Sequence, residues 1–408
     1  MSGVDTAPDA VVFLREIAGE LADIHSGSDY SLWHGEAKHR VDQYLLRAEP
    51  FSDFATCWAF SGDGGGSVVG GRFGEWAIDR LVEKIAPEDI VALFTGEVAR
   101  NTAVYEDVSP VLGIEINEPC ELGDGVRLVP PGADIFSGFD YPWRYSWPSM
   151  PTGTGFLIQS YKVTPAFEQH PAEANGPAGT SITQPASSAR DAIRRRLRLA
   201  CLLGSNGGVE LPMSVILSDR RALLSAGGTM SGRPFAAHPL VAFPADMAMI
   251  KTVFGQFAAF AEGDSLTRAI DRLGRSRLAI HPVDRALDLG MAAEIVLMHD
   301  LGTSNTEITY KIGSRAAWLL GESAAERNKI FDEMKHLYKG RSDAVHSGVL
   351  PPKSKVDLDL ADQLVLRVVQ AILQRGSFPD WTSLTLRRLT QSCSIDSSKT
   401  SAALAAYE

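Results

Sequence analysis

Cysteine is scarce in this chain. Cys57, Cys120, Cys201 and Cys393 are scattered through 408 residues, with no C-x-x-C and no close-spaced histidine partner. That usage excludes a disulfide framework and reads as reduced thiols. Long apolar runs are also missing. The most hydrophobic window, HPLVAFPADMAMIKTVFGQFAAFAEGD, is interrupted by Pro244, Asp246 and Lys251, so no membrane span is expected. The opening residues, MSGVDTAPDA, lack a basic stretch followed by an apolar one, and no signal peptide is apparent. The expectation is a cytoplasmic protein. Excess positive charge is absent too, for the net charge is −11, which argues against coating nucleic acid by bulk electrostatics.

Several catalytic signatures are missing. The glycine-rich run SGDGGGSVVGGRFGEW, residues 61–76, contains neither G-x-x-x-x-G-K-[ST] nor G-x-G-x-x-G, and reads as a flexible turn. In HGEAKHR, His34 and His39 are five apart, whereas a zinc-binding helix needs histidines four apart on one face. Neither a metal nor a cofactor is expected. No serine nucleophile elbow and no convincing carboxylate cluster is present.

What is present is ordinary globular material, 45% hydrophobic and 22% charged, in a chain long enough for two domains. Its charge is uneven. Residues 1–262 hold 20 basic against 32 acidic side chains, while residues 263–380 hold 16 of each. A polyanion would meet less repulsion in the C-terminal part.

Residues 1–262 read as an α+β region. Helices are expected over 8–24, with Val11, Val12, Leu14, Ile17, Leu21 and Ile24 inward, and near 31–46. Short β-prone runs follow, including IVALFTG, VLGIEI, GVRLVPP and GFLIQSYKVTP. Residues 165–190 read as a long mobile loop, followed by a helix, ARDAIRRRLRLACLLG, and a strand, ELPMSVILSD. The arginines of that helix, among them Arg194, Arg195 and Arg198, offer a candidate RNA-contacting surface. The plainer reading is a solvated face, with Ile193, Leu197 and Leu199 inward.

From residue 263 to 390 the chain reads as an all-α, antiparallel helical bundle, and 391–408 as a flexible tail. Pro282 suits the first turn of one helix and Gly302 its stop, with an apolar face of Val283, Leu287, Met291, Ile295 and Met298. Ser323 and Glu326 have capping-box spacing at the start of another. The last long helix offers Leu358, Leu364, Val365, Val368, Ile372 and Leu373 to the core.

The stretch HLYKGRSDAVHSGVL, residues 336–350, carries the strongest chemistry. Ile330, Met334, Leu337, Tyr338 and then Arg341 share one broad helix side, so Arg341 continues an apolar stripe and needs a partner. Glu294 is the natural one. His346 falls about 140° round an ideal helix from Arg341, so one straight face does not unite them. Either the helix loosens towards Gly348, or a second subunit completes the pair. Histidine can move a proton near neutral pH, and arginine offers forked donors to phosphate oxygens. These two residue types suit metal-free cleavage of an RNA phosphodiester.

The segment from about Leu266 to Trp381 resembles the HEPN family, specifically its Apea-like branch. The resemblance rests on PVDRALDLGMAAEIVLM, EITYKIGSRAAWLLG and IFDEMKHLYKGRSDAVHSG in that order, the last carrying an R-x4-6-H signature. It covers the C-terminal third only. It implies a homodimer in which Arg341 stabilises phosphate and His346 transfers a proton. Asp343, or alternatively Ser342, orients them, with Glu294 and Tyr338 in support. The implied products are a 2′,3′-cyclic phosphate and a 5′-OH. The implied setting is prokaryotic defence or stress response, with residues 1–262 as a sensor or inhibitory module and a regulatory partner or antitoxin. Ser342 stands where the family usually has Asn, Asp or His, and Ser347 where this branch commonly has glycine. The alternatives are a catalytically silent HEPN dimer that binds RNA, a nucleotide or a protein, and a functional N-terminal domain for which the bundle is only a dimeriser.

Overall fold

A computed structural model describes residues 9–24, 27–60, 66–132, 154–168, 187–219, 222–223, 230–232, 241–260, 263–300 and 307–384. The expected tail at 391–408 and most of the expected loop, 169–186, lie outside these residues.

In chain order the elements begin with α1 (Ala10–Ala22), α2 (Gly27–Leu45), β1 (Trp58–Phe60), β2 (Gly66–Val68), α3 (Phe73–Val82) and α4 (Pro87–Arg100). The strands β3 (Ala103–Val111), β4 (Ile114–Glu115), β5 (Cys120–Gly123), β6 (Val126–Val129), β7 (Gly155–Val163) and β8 (Phe167–Glu168) follow. Next come α5 (Ser187–Leu203), β9 (Met213–Ser218), β10 (Met230–Gly232), β11 (Phe243–Pro244) and α6 (Met247–Ala259). The rest is helical: α7 (Gly263–Leu278), α8 (Pro282–Leu297), α9 (Ile308–Leu320), α10 (Ala324–Ser347) and α11 (Leu358–Arg375). No helix among the described residues is long and apolar enough to cross a membrane.

The chain forms two compact units. One comprises residues 1–110, 117–193 and 211–239; the other comprises 111–116, 194–210 and 240–408. The second unit contains the helical stretch expected from residue 263, together with two short segments from mid-chain.

The first unit is mixed α/β. Its main sheet has the order β10-β9-β3-β7-β6-β5, with β9 antiparallel to β10 and β3, and β6 antiparallel to β5 and β7. β3 and β9 are almost wholly buried, and β3 takes Glu106, Asp107 and Ser109 into the interior with its apolar residues. A smaller sheet, β2-β1-β8, borders an aromatic core in which Phe51 stacks on Phe94 at 4.1 Å and meets Phe73 edge-on at 5.2 Å, centroid to centroid. Tyr105, buried, donates its hydroxyl to Phe60 O at 2.6 Å.

Two expectations change here. The run IVALFTG lies within α4, not a strand. Its β-branched residues favour a strand locally, but Pro87 at the first turn, Glu88 and Asp89 beside it and Asn101 in the left-handed C-cap fix a helix. Ile90 and Phe94, four apart, are its buried face. The glycine-rich run supplies β2 and a 3₁₀ turn leading into α3, with residues 61–65 outside the description.

In the second unit α8 packs against α7, α9, α10 and α11. Its buried residues are Ala286, Leu289, Gly290, Ala292, Ala293, Val296 and Leu297. Of the expected face only Met298 is buried, while Val283, Leu287, Met291 and Ile295 are half-buried. Four neighbours surround this helix, and its small residues take the closest approaches. α8 ends at Leu297, so Gly302, outside the description, is not its stop. In α11 the expected core residues are buried apart from Leu358, which is half-buried. Arg277 of α7 ties the unit together. It pairs with Asp362 of α11 at 2.8 Å and donates to the Leu202 and Ser205 carbonyls at 2.6 and 2.7 Å, with only 3% of its side chain exposed.

Candidate functional site

The candidate residues lie on α10 and the face of α8 beside it. α10 begins where Ser323 accepts a hydrogen bond from Glu326 N at 3.1 Å, while the Glu326 carboxylate accepts from Glu322 N, a variant of the expected capping box. It ends at Gly348, whose left-handed φ of 68° suits glycine and whose N–H donates to Ala344 O. Between these caps the helix is unbroken. The alternative of a loosened helix end is therefore excluded, and Arg341 and His346 stay on different sides of one chain's helix.

Arg341 faces α8. A Cβ placed on Gly290 would come within 2.5 Å of Arg341 Cβ and Cγ, so glycine there lets the arginine stem lie directly on α8. Arg341 Nη2 sits 3.3 Å from Glu294 Oε2, the partner that helix-face counting indicates, with the two side chains 26% and 31% exposed. The guanidinium carbon lies 5.5 Å from the Tyr338 ring centroid. Arg341 Nε is buried without a hydrogen-bond partner among the described residues. The guanidinium thus retains donors that Glu294 does not use. Tyr338 completes the group. Burial pushes its phenol above the usual tyrosine value, the Glu294 carboxylate pushes the same way, and Arg341 opposes both.

His346 is exposed, and no hydrogen bond joins it to Arg341 among the described residues. Asp343 does not bridge the two. Lys339 Nζ holds it, 3.2 Å from both carboxylate oxygens. Ser347, in the position where the resemblance has glycine, donates its hydroxyl to Asp343 O at 2.7 Å. Ser342 is half-buried on the same side as Lys339.

That side borders a pocket of about 550 Å³ between α10, the start of α9 and the loop before α11. Lys335, Lys339, Lys353 and Lys355 line it, together with Ser342 and Asp343. Sequence reasoning did not single out these lysines. Their signal was available as basic positions 335 and 339 on one helical stripe, followed by 353 and 355 just past the helix end.

The α5 arginines do not form one open face. Arg198 donates to Val209 O at 2.9 Å and pairs with Asp271 of α7, and Arg196 lies 3.9 Å above the Phe254 ring. Arg194 is half-buried, and Arg195 is exposed. Leu197 and Leu199 are buried, whereas Ile193 is only half-buried. Among the described residues no group of three or more His, Cys, Asp or Glu side chains could hold a metal ion. No protein family, curated protein or solved structure matches this chain.

Proposed function

We propose that this protein is a metal-independent endoribonuclease of HEPN type, working as a homodimer on RNA. The observation that supports this reading is the incompletely bonded Arg341 guanidinium set about one and a half turns from an exposed His346 near the end of one helix. Arg341 can donate to the non-bridging phosphate oxygens as negative charge builds on them. His346 takes the proton from the ribose 2′-OH or donates one to the departing 5′-oxygen. The 2′-oxygen then attacks phosphorus and the bond to the 5′-oxygen breaks, leaving a 2′,3′-cyclic phosphate and a 5′-OH. Since one chain holds these residues on different helix sides, a second copy supplies the other half of each cleft. Cytoplasmic defence or stress response, with the first unit or a separate antitoxin restraining the nuclease, is the setting this chemistry fits.

The test is incubation of purified protein with RNA in EDTA. Nicking with cyclic-phosphate ends is expected, abolished by either Arg341→Ala or His346→Ala in folded protein. Undiminished cleavage by both variants sinks the reading.

The Arg341–Glu294 contact favours a second reading, a catalytically silent scaffold in which Arg341 is a structural residue. Under it, Arg341→Ala lowers the melting temperature markedly, and the wild type leaves RNA intact.

A further inference from the structure

We infer that the lysine-walled pocket beside α10 binds a small molecule bearing two or three contiguous phosphates. This goes beyond the nuclease reading and stands whether or not the bundle cleaves RNA.

Charge is the first ground. Four lysines, Lys335, Lys339, Lys353 and Lys355, line one concavity against a single carboxylate, Asp343. Lys339 is committed to that carboxylate, at 3.2 Å from both oxygens. Lys335, Lys353 and Lys355 make no ion pair among the described residues, so the lysines bordering the pocket outnumber its carboxylates. The whole chain carries a net charge of −11, which makes this local reversal of sign unexpected from composition. Like charges gathered in a concave site repel one another, and a polyanion relieves that repulsion while focused field lines speed its arrival.

Donor chemistry is the second. Lysine presents a compact point charge with three rotatable donors, not the planar fork that arginine offers a carboxylate. Several ammonium groups around one tetrahedral, multiply charged group satisfy its oxygens in a way that a single carboxylate cannot use. The Ser342, Ser354 and Thr309 hydroxyls stand at the same walls as further donors.

Size and rigidity are the third. About 550 Å³ lies within the range of small-ligand sites and exceeds what an inorganic triphosphate fills, leaving room for a nucleoside body beside Tyr338 and His336. The loop carrying Lys353 and Lys355 is fixed. Ser354 N donates to Pro351 O at 2.7 Å, and Val356 sits so close to Gly340 that an added Cβ would meet its Cγ1 at 3.2 Å. Binding therefore does not require this loop to be ordered first.

The pocket also has a defined place relative to the candidate nuclease residues. Lys335, Lys339, Ser342 and His346 follow one stripe of α10 at i, i+4, i+7 and i+11, with His346 one turn beyond the pocket lining. Arg341 lies off this stripe, against α8. A ligand's phosphates in the pocket would sit on the His346 side of the helix, while Tyr338, which lines the pocket, stands between it and Arg341.

The experiment is calorimetric titration of the full chain with sodium tripolyphosphate, with a nucleoside triphosphate, and with a short single-stranded RNA. Both triphosphates are expected to bind, less tightly as salt is raised. Lys335→Gln and Lys355→Gln should each weaken binding about tenfold, the scale of a lost charged hydrogen bond. Lys329→Gln, on an exposed α10 position outside the pocket, should leave it unchanged. All three changed side chains are exposed, so circular dichroism should report an unaltered fold. Absence of tripolyphosphate binding overturns the proposal, as does binding that ignores the pocket substitutions. RNA binding without triphosphate binding also overturns it and assigns the lysines to a nucleic-acid strand.

Discussion

Arg341 is the residue on which catalytic and structural readings compete, and its stability contribution can be worked out in advance. The ion pair with Glu294 spans 3.3 Å, with 26% and 31% of the two side chains exposed. A bare Coulomb energy at an effective dielectric of about 20 is roughly 5 kcal/mol, but solvent access and desolvation reduce such a partly exposed pair to about 1 kcal/mol net. The stem packed over Gly290 adds a second contribution. Its methylenes are worth about 0.8 kcal/mol each when fully buried, so partial burial gives roughly 1–2 kcal/mol. Arg341→Ala should therefore cost about 2–3 kcal/mol, and Arg341→Met, which keeps the stem, only about 1 kcal/mol.

Urea denaturation of these variants, closed into a double-mutant cycle with Glu294→Gln, checks the division. The coupling energy should be about 1 kcal/mol, well short of the 3–5 kcal/mol cost of breaking a fully buried pair. A coupling near zero, or equal losses for alanine and methionine, would refute the reasoning. Its functional value is practical. Because Arg341→Met should remain folded, any loss of RNA cleavage in that variant reports chemistry and not collapse.

Two other perturbations probe the framework. Gly290→Ala should gain about 1 kcal/mol of helix propensity, yet a methyl 2.5 Å from Arg341 Cβ and Cγ forces α8 and α10 apart at a cost of about 1–3 kcal/mol. Net destabilisation by denaturant titration, with reduced Arg341–Glu294 coupling, is expected; a stabilised protein contradicts the close approach. Asp42 concerns pH: it accepts from Gly74 N at 3.2 Å at the start of α3, and burial raises its carboxyl above the ordinary aspartate value despite that bond. The folded state then holds the Asp42 proton more tightly than the unfolded chain, so this group's contribution to stability falls as pH rises from about 4 through the raised value. Asp42→Asn keeps the acceptor and loses the titration. The stability of the variant relative to wild type should therefore improve between pH 3 and pH 7, and a constant difference removes the assignment.

Where the sequence was readable, local chemistry had few alternatives. Ser323 followed by Glu326, and Gly348 after the last helical turn, mark α10 because capping needs those residue types there. The glutamate's actual acceptor role, towards Glu322 N, depends on how the preceding turn runs and could not be counted from spacing. α8 was misread for a different reason. Hydrophobic size picks out Val283, Leu287 and Met291, but a helix touching four others buries what fits most closely, and Ala286, Gly290 and Ala293 fit best. IVALFTG failed through composition, since β-branched residues within a capped helix carry a strand's signature. The pocket lysines escaped because Lys335 and Lys353 are neighbours only once the chain turns back after Pro351 and Pro352.

The unbroken course of α10 leads to the most selective test of the nuclease reading. With Arg341 against α8 and His346 about 140° around the same regular helix, a working cleft must draw the two from different chains or move one of them a long way. Consider a two-fold dimer in which each cleft uses the arginine of one protomer and the histidine of its partner. Mixing Arg341→Ala with His346→Ala then puts both lesions into one cleft of a mixed dimer and leaves the other intact. Random pairing makes half the dimers mixed, each with one of two clefts working, so about a quarter of wild-type cleavage should return from two inactive proteins. Clefts that need all four residues, or an arginine and histidine of the same chain, recover nothing. Native mass spectrometry must show the mixed dimer in the same sample. Recovery near a quarter would establish the shared cleft, and inactivity despite abundant mixed dimer would refute it.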